Sequence, residues 1–170
     1  MMKQFAIGPN ATTFAGKRIW RTSSSHVISS TNPPDTTCHN SRPSGVSAGR
    51  ALVATTTTPA SSLLGALQMC VRPDGQEVGT GGEFLAGSLR GGIWQTGSGS
   101  YVTSNALSWT GSASPGALGT AASTCNDWTS PAAGSATVGY YERARNEIWN
   151  FTTIACNVTA GGPHLYCFEP

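Results

Sequence analysis

Apolar residues in this chain come in short runs, each bounded by Gly, Pro, Ser, Thr or Asn. Such runs predict short strands joined by turns, because Gly and Asn accept positive φ and Pro presets a negative one. The first strand is expected over Lys17–Thr22, centred on Ile19 and Trp20, and a second over Arg50–Thr55. Met69–Arg72 and Gln76–Val78 flank Pro73-Asp74-Gly75, which reads as a hairpin turn with Gly75 in the left-handed position. Shorter strands are expected at Gly92–Gln95, Tyr101–Val102, Leu107–Trp109 and Val138–Tyr141. The apolar run Leu165-Tyr166-Cys167-Phe168 lies close to the carboxyl end. A terminus frays unless something ties it down, so this run predicts a buried strand held by its cysteine.

Helical signals are few. Ser61, after Pro59, is placed to cap a short helix over Ser61–Leu67. The double proline in Asn32-Pro33-Pro34-Asp35 breaks a helix interior, leaving Asp35 to cap at most one turn ending near His39. Residues 1–16 read as an arm or linker with isolated Phe5, Ile7 and Phe14, and residues 17–170 as one domain without internal repeats.

Composition narrows the class. A chain of 170 residues suits a single domain, which buries roughly 70% of its unfolded surface. Charged residues are 11% of the chain, against a usual value near 25%, yet five Trp argue for a packed core rather than low complexity. The net charge of +2 is spread over scattered Lys and Arg. That excludes a phosphate-tracking patch and hence a nucleic-acid partner. No apolar stretch is long enough to span a bilayer, and Met1–Pro9 lacks the apolar run of a signal peptide. Five cysteines without Cys-x-x-Cys spacing point the other way, to an oxidised, exported protein rather than a zinc protein.

Catalytic chemistry finds little support. Gly45-Val46-Ser47-Ala48-Gly49 fits the G-x-S-x-G pattern, but a nucleophile elbow needs a strand before the serine and a helix after it. Here a polar, Pro-broken segment precedes Ser47 and a strand-like run follows, so no enzyme is expected. His26, His39 and His164 are far apart and read as solvated or hydrogen-bonded loop residues. Trp20, Trp109 and Trp128 read as core. Trp94, Tyr140, Tyr141 and Trp149 lie beside Gly-rich or polar loops, and aromatic residues dominate recognition surfaces. These four are the candidate surface recognition residues, with core placement the alternative for each. Asn10, Asn150 and Asn157 each open an Asn-x-Thr glycosylation pattern, which matters only in a pathway that glycosylates.

Trp109-Thr110-Gly111, Cys125-Asn126-Asp127-Trp128, Cys156 and Tyr166-Cys167-Phe168-Glu169 together resemble the C-terminal half of the endostatin domain. That domain is a variant of the C-type lectin-like fold with secreted bacterial relatives. The resemblance covers about Lys17–Pro170 and implies an α+β, C-type lectin-like, disulfide-stapled domain with a small mixed sheet, short helices and long loops. It aligns Cys38, Cys125, Cys156 and Cys167 with the family's half-cystines. Four cysteines pair in three ways. The resemblance implies the nested one, Cys38 with Cys167 and Cys125 with Cys156. Cys70 is then left over, as a reactive or intermolecular thiol or as a small buried hydrophobe.

The family's metal sites do not carry over. Met1–Trp20 contains no histidine for its zinc site. Trp149-Asn150-Phe151 stands where calcium-binding lectins carry Trp-Asn-Asp, and Glu-Pro-Asn is missing. Asn126-Asp127 and Asn146-Glu147 remain as oxygens, and no metal or cofactor is expected. The implied function is a non-catalytic extracellular recognition or adhesion module for a protein or glycan ligand. The alternative is a structural subunit whose copies assemble into a surface layer, fibre or appendage through Cys70 and the N-terminal arm.

Overall fold

A computed structural model of the protein describes residues 16–102, 107–159 and 161–170. The expected arm falls outside these residues apart from Gly16. Eight strands form one mixed sheet: β1 (Lys17–Arg21), β2 (Arg50–Ala51), β3 (Met69–Val71), β4 (Glu77–Thr80), β5 (Leu107–Trp109), β6 (Ser135–Tyr140), β7 (Thr152–Ala155) and β8 (His164–Phe168). Their spatial order is β4-β3-β1-β8-β5-β6-β7, with β2 also paired to β8. Two short helices, α1 (Pro34–Asn40) and α2 (Gly81–Ala86), complete an α+β domain.

The last strand is central. β1 runs antiparallel to β8, with Trp20 opposite Cys167 and Arg21 opposite Tyr166. β5 pairs in parallel with the first half of β8, and β2 pairs antiparallel with Cys167 and Phe168. Both faces of this strand are buried, and its side chains alternate between two cores. Tyr166 and Phe168 join Ile19, Leu52, Phe84 and Ile93 on one face. Leu165 and Cys167 join Trp20, Trp109, Trp128 and Val138 on the other. A strand buried on both sides reads as an unbroken apolar run, which is why Ile19-Trp20 and Leu165–Phe168 stand out in the sequence.

Cys38 of α1 is bonded to Cys167 of β8, and Cys125 to Cys156. The first crosslink closes 129 residues of sequence and ties α1 to the middle of the sheet. The second closes 31. Cys70 is free and fully buried in the first core, where burial pushes its thiol up to about 11.

Several elements differ from expectation. α1 is longer than one turn because Pro34 occupies its first turn, where the missing N–H costs nothing. Asp35 does not cap it. Its carboxylate instead accepts from the Ala51 backbone N–H at 2.8 Å. The helix expected over Ser61–Leu67 is a single 3-10 turn, Ala60–Leu63, with no side-chain cap. Too few residues precede Gly65 to nucleate anything longer. Gly92–Gln95 and Tyr101–Val102 share only the isolated bridge of Gln95 to Tyr101, and Thr96, just beyond the first, bridges to Arg21. The hairpin at Pro73-Asp74-Gly75 forms, with Gly75 at φ 86°.

The two crosslinks should contribute unequally. A disulfide's effect on the unfolded chain grows with the loop that it closes, to about 5 kcal/mol for the longer loop and about 4 for the shorter. Urea denaturation of the Cys38→Ala/Cys167→Ala protein should therefore show the larger loss, and of the Cys125→Ala/Cys156→Ala protein the smaller.

Candidate functional site

The residues singled out by sequence do not converge. Trp149 is 1% exposed and Tyr141 2%, so neither offers a ring to a ligand. Their burial has a local cause: the backbone at Ile148 lies directly on β6, where a Cβ on Gly139 would sit 1.7 Å from the Ile148 oxygen. That close approach turns Trp149 inward, where its indole donates to Ser112 Oγ at 3.1 Å. The Tyr141 hydroxyl donates to the Val102 oxygen at 3.4 Å. Trp94 is half-buried, with the Arg72 guanidinium 4.9 Å from its ring centre. Tyr140 is likewise half-buried, edge-on to exposed Phe151 at 5.2 Å.

Ser47 lies on an exposed bend between α1 and β2, with no strand delivering it. His39 is exposed, while His26 is buried and His164 half-buried. The Thr37 hydroxyl donates to Asn32, so it accepts from His26 Nδ1 at 3.0 Å. That leaves His26 Nε2 buried without a hydrogen-bond partner. Burial lowers His26 from 6.5 to about 4, since protonated Nε2 would have no acceptor. His164 is also lowered to about 4, chiefly by burial and further by the charge of Arg21.

A groove that the sequence did not announce forms between α1, β2 and the turn at Cys125–Trp128. It has a volume of about 250 Å³. Pro33, Pro34, Val53, Leu63 and Trp128 give it an apolar lining, and Asp35, Arg50, Asp127, Thr55 and Thr58 give it polar groups. Arg50 and Asp35 pair at 3.3 Å on one side. Asp127 has no cationic partner among the described residues.

The turn itself is strained. Cys125, Asn126, Asp127 and Trp128 all have positive φ, between 50° and 67°. A left-handed conformation costs roughly 1–2 kcal/mol for an ordinary residue and less for Asn or Asp. Here three restraints hold it. Cys125 is crosslinked, and the Trp128 indole donates to the Ala54 oxygen at 2.9 Å. The Asp127 carboxylate accepts from both the backbone N–H and the hydroxyl of Thr56, each at 2.7 Å. Strain held by so many contacts is a mark of functional segments. Of the pair Asn126-Asp127, read from sequence as possible calcium oxygens, Asp127 thus serves as a clamp, while Asn126 Nδ2 donates locally to Thr129 Oγ1 at 3.3 Å. Among the described residues no group of three or more His, Cys, Asp or Glu is placed to hold a metal.

No protein-family model matches this sequence, and none of the curated proteins compared with it matches either.

The buried histidines make stability pH-dependent. The unfolded chain takes up these protons near pH 6.5, the fold only near 4, so stability is complete above 6.5 and falls as pH drops toward 4. Urea midpoints measured from pH 7 to 5 should fall with acid, and the slope should be shallower in His26→Gln.

Proposed function

We propose that this protein is a non-catalytic recognition module of the C-type lectin-like, endostatin type, working outside the cell. The nested crosslinks and the buried terminal strand support that reading. Two disulfides suit an oxidising compartment, and no helix among the described residues is long and apolar enough to cross a membrane.

The observation that carries the proposal is the strained, triply restrained turn on one side of the groove. A preformed surface binds without the ordering cost that a flexible one meets. The groove's chemistry favours an extended segment of a partner protein over a glycan. A sugar ring needs an open aromatic face, and Trp128 is 2% exposed. An apolar side chain instead finds Leu63, Val53 and the two prolines, while Asp127, hydrogen-bonded to Thr56 but without a cationic partner among the described residues, draws an adjacent Lys or Arg. The structural-subunit reading loses its crosslinking thiol, since Cys70 is 0% exposed.

A displayed random peptide library tests this. Selection on the intact protein should enrich segments with an apolar residue beside a basic one. Their affinity should fall at least about tenfold in Leu63→Glu and Asp127→Lys, and stay unchanged in Phe151→Ala. Binding lost only in Phe151→Ala, or enrichment of nothing, would overturn the groove as the recognition surface. A glycan array response lost only in Phe151→Ala would move recognition to the Tyr140–Phe151 pair.

A further inference from the structure

Among the described residues, one buried positive charge has no negative partner. Arg21 is 1% exposed, in the middle of the sheet. Its Nε and Nη2 atoms are buried and have no hydrogen-bond partner. These two atoms share one edge of the guanidinium plane, the edge that grips an acceptor with two parallel N–H bonds. The ring of Tyr141, centred 5.0 Å from Arg21 Cζ, packs against the guanidinium and leaves that edge free.

The chain cannot supply the missing charge. All eight Asp and Glu residues fall among the described residues. The ion pairs join Arg50 to Asp35, Arg72 to Asp74 and Arg90 to Glu77 and Glu83, and none includes Arg21. Residues 1–15, 103–106 and 160 contain no carboxylate. Deprotonation is no escape either. Burial lowers Arg21 only to about 10, so the group stays charged at neutral pH. Burying an unpaired charge is expensive, and a water molecule satisfies an N–H without neutralising it.

We propose that the Nε–Nη2 edge of Arg21 holds a monovalent inorganic anion taken from solution, chloride being the abundant one. Charge and donor supply both select this class. One guanidinium balances one negative charge, whereas a phosphate or sulfate dianion would leave a net charge buried. An oxyanion also needs many donors, and few remain. On the same face of the sheet, the Tyr166 hydroxyl already donates to the Ile148 oxygen and His164 Nδ1 is engaged with the Thr22 oxygen. Ser108, on β5 opposite His164, is a further buried hydroxyl on that face, and it lies beside Tyr166. Two parallel guanidinium N–H groups with few further donors suit a small spherical anion. The site is independent of the groove, on the other face of the sheet from Trp128.

The test uses the intact, disulfide-bonded protein. Crystals soaked in sodium bromide should show an anomalous peak within hydrogen-bond reach of Arg21 Nε and Nη2. In solution, chloride added at constant ionic strength should raise the melting temperature saturably, by roughly 3–6 °C at ten times the half-saturating concentration. Arg21→Met should lose that saturable response. No bromide peak at Arg21, or an equal chloride response in Arg21→Met, overturns the proposal. Should Arg21→Met fail to fold, the bromide soak of the unaltered protein decides alone.

Discussion

The fold depends on the capture of its last strand. β8 is paired along one edge by β1 and along the other by β5 and β2, so it joins segments near residues 20, 50 and 108 into one sheet. Pairing strands so distant in sequence incurs a large loop-closure cost before any contact repays it. The Cys38–Cys167 crosslink removes much of that cost from the unfolded side of the balance. Burial does the rest, since Leu165, Tyr166, Cys167 and Phe168 are all 2% exposed or less and feed two separate cores. A chain poor in charge and rich in Gly and Thr gains little from helix propensity or surface ion pairs. It relies on this one strand.

The groove inherits its shape from the same arrangement. β2 is held against β8, and Asp35 then reaches from α1 to the Ala51 N–H, which sets one side. The opposite side is the left-handed turn, fixed to the loop after β2 by Asp127 and Trp128. Each restraint is modest alone. Together they hold a backbone conformation that Cys and Trp seldom adopt, and they hold both sides relative to β2. The groove is therefore preformed by the core.

What was legible in the sequence follows from burial. β1 and β8 stand out because both of their faces are apolar, and the hairpin because its Pro-Asp-Gly turn has one reading. β7 was missed because Thr152–Ala155 is an edge strand paired only with β6, largely exposed and without apolar alternation. The capping box of α2, Thr80 with Glu83, and its left-handed Gly87 were present but masked by Gly81-Gly82, which reads as a breaker. For Tyr141 and Trp149 the sequence leaves surface and core both open, because flanking polarity says nothing of a backbone folding over Gly139. The groove was illegible for a different reason: Asp35, Arg50, Leu63 and Asp127 come from separate segments without a common period. Arg21 lay within the first predicted strand, but nothing local marks a cation whose counter-charge is missing.

Native-state hydrogen exchange tests the central role of β8 most directly. The account predicts that backbone amides from Leu165 to Phe168 are among the slowest in the protein and exchange only with global unfolding, although they lie near the chain end. Exchange of these amides by local fraying, faster than those of β5 and β6, would contradict it.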